Sequence, residues 1–242
     1  MVRAVPALCA AVLGAMVAVA SLAGPTLLAG ALLVTVVVMA TGWPTLLGLP
    51  TQRGSTTVLA LCGTAAVLVV TLVGDERQPL APLAPVLALS VVATFGHQLL
   101  RRDMRPRLVE SVAGVVSGVV VIELGAGWIA AAVTSTDLVL AGVAGLVPAA
   151  LALALPLPLR VTGALGLLAG VVFAVFAASF LDDVATLLAG IAGALVAAVL
   201  ASFDRLFAPL PSVTSRQAGL ALGAAAVCCT GAIVYLLSRV IG

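Results

Sequence analysis

Apolar runs of about twenty residues recur from one end of the chain to the other, each closed by glycine, proline or a small cluster of charge. A helix rises about 1.5 Å per residue and a bilayer core is about 30 Å thick, so about twenty apolar residues make one crossing. Nine such segments can be read: 4–23, 26–43, 56–73, 81–100, 108–133, 138–155, 161–180, 184–202 and 218–241. Gly24-Pro25 forces a tight reversal after the first. Pro82 and Pro85 interrupt the start of the fourth, Pro148 lies inside the sixth, and Pro156-Leu157-Pro158 end it. The fifth is the longest and is expected to tilt. The longest loop is 203–217, so residues 1–242 are expected to form a single integral membrane domain with no soluble domain. The fold class is therefore all-α, a polytopic transmembrane bundle. The first segment has features of a secretory signal, but its apolar run is long for one and eight more follow it, so a retained helix is expected.

Charge gives this pattern a direction. Cytoplasmic loops of membrane proteins are enriched in arginine and lysine. With the N-terminus inside, Arg3, Arg53, Arg101, Arg102, Arg105, Arg107, Arg160, Arg205 and Arg216 all fall on the inner face. The outer face keeps Arg77 and Arg239, together with Asp75, Glu76, Asp137, Asp182 and Asp183. The expectation is N-in, C-out, multi-pass, in a cytoplasmic (inner) membrane. Trp43 and Trp128 fall near opposite interfaces, where amphipathic rings anchor helices. All eleven cations are arginine, which together with the Ala, Val, Leu and Gly bias suggests a GC-rich bacterial genome.

Composition agrees with the pattern. The chain is 63% apolar and 8% charged, with a mean hydropathy of +1.33, whereas about a quarter of the residues in soluble domains are charged. A net charge of +2 gives no electrostatic case for a nucleic-acid partner. The expected partners are the bilayer itself and anionic headgroups at the inner face. Cys9, Cys62, Cys228 and Cys229 sit inside apolar runs and read as small core residues. Helices in lipid associate through close approach of small residues. Gly114 and Gly118, Gly166 and Gly170, and Gly219 and Gly223 supply such seams, which serve either internal packing or a homo- or hetero-oligomer.

Candidate chemistry is sparse. Glu123 lies fifteen residues after Leu108, about 22 Å from the inner end of its helix. An intramembrane carboxylate costs a few kcal/mol, roughly 2.5–3.5 on insertion scales for ionisable groups at a helix centre, which makes it a functional candidate by default. No cation stands at the same depth. Glu123 is nine positions from Gly114, about 180° around the helix at 3.6 residues per turn, so the fifth helix should have neighbours on both faces. His97, Arg101, Arg102, Arg105 and Arg107 gather around the fourth loop and are candidates for phosphate or headgroup contact. Arg107 and Glu110 are three apart and are expected to pair. Asp182-Asp183 reads as a solvated turn with a divalent ion as the alternative, and Asp204-Arg205 as a local pair. One histidine and scattered cysteines make no metal-ligand cluster. Without lysine there is no P-loop. Ser117 and His97 are at different depths, so no serine hydrolase is assembled. No catalytic residue, metal or cofactor is assigned.

The nine helices, the arginine-rich loop after the fourth and the glycine-rich fifth helix resemble the phosphatidate cytidylyltransferase (CDP-diacylglycerol synthase) family. The run 98–128 is similar to that family's segment in the same position. Pro158-Leu159-Arg160-Val161-Thr162-Gly163 stands where the family has a Ser-Pro-Lys-Lys-type turn, the likeness covering about seventy residues. The resemblance implies a lipid-phosphate enzyme, but 141–156 contains no Asp or Glu where the family carries its metal-binding acids. The family's lysines and its long C-terminal signature are also missing, so no family residue is carried over. Three functions follow. A non-catalytic accessory or scaffold protein of envelope or lipid metabolism comes first, since nine is an odd number of spans and no internal repeat is visible. A small proton- or ion-coupled transporter using Glu123 comes second, and a divergent lipid-phosphate enzyme third.

Overall fold

The computed structural model describes residues 4–75, 77–100 and 107–241. Arg3, Glu76, Arg101, Arg102 and Arg105 lie outside these residues. Ten α-helices follow one another: α1 (Ala4–Ala23), α2 (Pro25–Leu46), α3 (Gln52–Val73), α4 (Leu83–Leu100), α5 (Leu108–Leu124), α6 (Gly127–Thr134), α7 (Thr136–Leu153), α8 (Leu159–Ala178), α9 (Thr186–Phe207) and α10 (Arg216–Ile241). A 3₁₀ turn at Pro211–Thr214 precedes α10, and no strand occurs among the described residues. Among the described residues, nine units are long and apolar enough to cross a membrane, α5 and α6 together making one crossing of 27 residues. The protein is an all-α, multi-pass membrane bundle.

The sequence expectation of one long fifth helix needs a correction at its middle. At Gly125 and Ala126 the winding tightens: the Gly125 N–H donates to Ile122 O at 3.0 Å and the Ala126 N–H to Glu123 O at 3.0 Å. These are three-residue spacings, a 3₁₀ turn set into an α-helix, and such interruptions mark hinges. Gly125 opens the joint two residues past Glu123, and Gly127 starts α6 beyond it. The fourth crossing starts at Leu83 rather than 81, leaving Pro82 outside the helix and Pro85 in its first turn, where a missing N–H costs little.

Two packing centres hold the bundle. α7 lies among α1, α8 and α9, and α10 lies among α1, α2 and α6. α3 and α5 attach to the second centre, and α4 stands on the rim with α3 and α5 as its main neighbours. The glycine seams do their expected work inside the chain. Gly145 of α7, Gly170 of α8 and Gly193 of α9 meet at one point, where a Cβ added to Gly145 would stand 2.8 Å from Gly193 Cα. Gly219 and Gly223 receive α1 at Val5, Pro6 and Cys9, and Gly114 and Gly118 receive Leu49 and Trp43.

Both tryptophans depart from the anchor expectation. Trp43 and Trp128 are buried between helices instead of facing lipid, Trp128 with no exposed surface. Trp43 Nε1 donates to Gly114 O at 2.9 Å and Trp128 Nε1 to Val227 O at 2.8 Å. In hydrocarbon an indole N–H needs a protein acceptor, and each ring finds one on another helix.

The alternation of crossings places Arg53, Arg107, Arg160, Arg205 and Arg216 at one end of the bundle. Asp75, Asp137, Asp182 and Asp183 share the other end with Arg77 and Arg239. The arginine-rich end is tied by Arg107 Nη1 donating to Gly48 O at 3.1 Å and by Ser212 Oγ donating to Leu46 O. The acidic end is tied by the Asp183 N–H donating to Asp137 Oδ2 at 3.3 Å.

Candidate functional site

α4 is turned inside out relative to a helix of a soluble protein. Its outward face carries Leu89, Val92, Phe95 and Leu99, and its buried residues are Ser90, Thr94 and Gln98. Residues four apart share a helix face, so these three make a stripe spanning about 12 Å at 1.5 Å per residue. Lipid is as apolar as leucine, so nothing drives the apolar face inward, while polar side chains seek partners on neighbouring helices.

The stripe meets Glu123. Ser90 Oγ donates to Glu123 Oε1 at 3.0 Å in a buried contact between α4 and α5. Glu123 is 5 % exposed. Cys62 of α3 lies beside both Ser90 and Glu123, a buried free thiol at the three-helix junction. One step down α4, Thr94 Oγ1 donates to Ser90 O at 2.8 Å. That bond leaves Thr94 within its own helix while keeping an oxygen in the seam. Further toward the arginine-rich end, buried Ser55 at the start of α3, Gln98 at the end of α4 and Ser111 at the start of α5 continue the polar lining. The expectation that α5 has neighbours on more than one face holds, since it packs against α3, α4 and α10.

On the opposite side of Glu123 the seam opens. A cavity of about 180 Å³ is bounded by Leu83 and Leu87 of α4, Val120 and Glu123 of α5, Gly127 of α6 and Ala232 of α10. Its walls are apolar and Glu123 is the acidic group on them. The carboxyl thus stands between an apolar cavity toward the acidic end and a polar seam toward the arginine-rich end.

The remaining candidates are dispersed. His97 packs its ring against Gly54 in the first turn of α3, so it is directed into the α3–α4 contact. Arg107 adopts a left-handed φ of 53° ahead of α5, and its guanidinium pairs with Glu110 as expected. That pairing and the bond to Gly48 O brace the start of α5 against the α2–α3 loop. Asp182 and Asp183 are exposed, and Arg205 lies over Gly163 at the start of α8. Among the described residues no three His, Cys, Asp or Glu side chains converge on a common point.

Sequence reasoning found Glu123 and missed its partner. Ser90 and Thr94 drew no notice because hydroxyl residues are common in apolar helices. The signal was present in the register: Ser90, Thr94 and Gln98 recur every four residues in a helix otherwise apolar, which in lipid marks the inward face.

Comparison with known protein families, with curated proteins and with solved structures finds no match to this chain.

Proposed function

We propose that this protein is a small proton-coupled membrane transporter whose coupling group is the Glu123 carboxyl. The observation that carries the reading is the buried Ser90–Glu123 hydrogen bond at the junction of a cavity and a polar seam. Intramembrane carboxyls are expensive, and their usual service is in ion and proton pathways. A proton is favoured over a metal cation by the number of ligands. The junction brings together one carboxyl and one hydroxyl beside the Cys62 thiol, whereas Ca²⁺ takes six to eight oxygens and Mg²⁺ about six.

Two features of the fold support an access route. The cavity reaches the carboxyl from the acidic end. Ser90, Thr94 and Gln98 line the seam below it with polar side chains on the buried face of α4. α4 rests mainly on α3 and α5, and the tightened turn after Glu123 offers a joint in the neighbouring crossing. Rocking of α4 would expose the carboxyl alternately to the two ends, the alternating-access scheme of transporters. The charge bias supports an inward arginine-rich end, and the reading takes the membrane to be a cytoplasmic one. The accessory role, first by sequence, draws on no particular residue of the fold. A lipid-phosphate enzyme would draw on the arginine-rich loop, away from Glu123.

A hydrophobic carbodiimide tests the site chemically, because it adds to a protonated carboxyl that can be reached from hydrocarbon. Mass spectrometry of treated membranes is expected to find the adduct on Glu123 and to lose it in Glu123→Gln. An unmodified Glu123 peptide in fully recovered digests would remove the carboxyl from any exchangeable proton path.

A further inference from the structure

Resting on Glu123 as the coupling group, we infer that the cavity beside it binds a lipophilic ammonium ion which enters sideways from the hydrocarbon between α4 and α5. Three observations bear on the occupant. The first is where the cavity opens. Leu87 is 36 % exposed, Val120 40 % and Leu124 37 %, and all three line it. These residues lie along the crossings, where an exposed apolar side chain meets lipid. The cavity therefore opens toward the membrane interior, on the acidic-end side of Glu123.

The second is what the walls can bind. Leucine, valine and alanine side chains offer an occupant no hydrogen bonds, so a sugar, an amino acid or a phosphate would lose its water without replacement. An alkyl body exchanges one apolar contact for another at no such cost.

The third is the single charge. Ser90 occupies Oε1 of Glu123, and the carboxyl borders the cavity. A carboxylate in an apolar surround favours a cation brought to it, and an N⁺–H donor forms a stronger hydrogen bond there than a neutral donor does. A hydrated inorganic cation finds too few oxygens, whereas an alkylammonium carries its own apolar coat. Coupling then follows from competition: the carboxylate holds a proton or the ammonium, so loading one displaces the other. Acid–base balance is kept, since the proton released by Glu123 passes to water as the ammonium takes its place.

The same ammonium chemistry is found in a free lipophilic amine and in an aminophospholipid headgroup. The test uses labelled dodecylamine and the full-length protein in phosphatidylcholine nanodiscs. Saturable binding is expected, displaced by unlabelled dodecylamine but not by dodecanol or dodecyl sulfate, and weakened about tenfold or more in Glu123→Gln, the loss expected for one charge-assisted contact. Added phosphatidylethanolamine that competes assigns the natural ligand to a lipid, and its failure to compete assigns it to a free amine. Dodecanol competing as well as dodecylamine, no saturable binding, or undiminished binding in a monodisperse Glu123→Gln protein would each overturn the inference. The competitor arms use unaltered protein and do not depend on the variant folding. The two readings also fail separately. Proton flux without amine binding removes only the ligand, and amine binding without any flux removes the transporter while leaving the site.

Discussion

Replacing Glu123 by leucine should make the protein more stable and inactive. The carboxyl is 5 % exposed, its surroundings on one side are leucine and valine, and its hydrogen-bond donor is Ser90 at 3.0 Å. Insertion scales put ionisable side chains at about +2.5 to +3.5 kcal/mol at a helix centre and leucine at about −0.3 to −0.6. Glu123 is off centre, so a gain of about 2–3 kcal/mol is the reasonable range for removing it. Against this stands the lost Ser90 bond, worth roughly 0.6 and at most about 1.7 kcal/mol by membrane double-mutant cycles. Ser90 can turn to a carbonyl of its own helix, as Thr94 already does, so little further cost arises. The net is a stabilisation of about 1–2 kcal/mol. Reversible unfolding in mixed micelles, followed through the buried Trp43 and Trp128, measures it. A destabilisation of more than about 1 kcal/mol would mean that the carboxyl anchors the bundle, and it would refute the premise that stability is given up at this position for function.

Other consequences of the fold can be checked alongside. Gly145→Ala should destabilise by about 2 kcal/mol or more, because the new methyl meets backbone at Gly193 and Gly170 with no flexible side chain to yield. Gly30→Ala, with nothing within 4 Å, should be neutral or gain up to about 1 kcal/mol from helix propensity; the same unfolding assay reads both, and equal effects would refute the three-helix contact. Trp128→Phe should cost about 0.6–1.7 kcal/mol by releasing the Val227 carbonyl, and an unchanged midpoint would deny that bond a structural role. In a cysteine-free background, Asp182→Cys should react with an impermeant maleimide on intact cells and Arg53→Cys only after lysis; the reverse pattern would overturn the N-in orientation.

The crossings were legible in the sequence because hydrocarbon imposes one condition on every residue of a span, and an apolar run of about twenty residues reveals it. Charge was legible for the same reason: Arg53 and Arg160 stand at the starts of α3 and α8, and Asp75 just past the end of α3. The joint at Gly125 was not, because two glycines in a glycine-rich helix carry no distinctive mark, and the change is confined to a few hydrogen bonds between Ile122 and Ile129. The tryptophans misled for a related reason. Trp43 and Trp128 have the depth of interfacial anchors, and depth does not say which face of a helix meets lipid. Glu123 stood out through its cost alone. Its partner required knowing that α4 packs beside α5, a tertiary fact, although the four-residue register of Ser90, Thr94 and Gln98 already showed which side of α4 would face inward.

Proteoliposomes with an internal pH dye test the central claim most directly. Under an imposed proton gradient, wild-type protein should acidify the lumen faster than empty liposomes, and Glu123→Gln, reconstituted at the same density, should fall to the empty-liposome rate. Equal rates for wild type and Glu123→Gln, whether both above the empty liposomes or both level with them, would contradict the assignment of Glu123 as the coupling group.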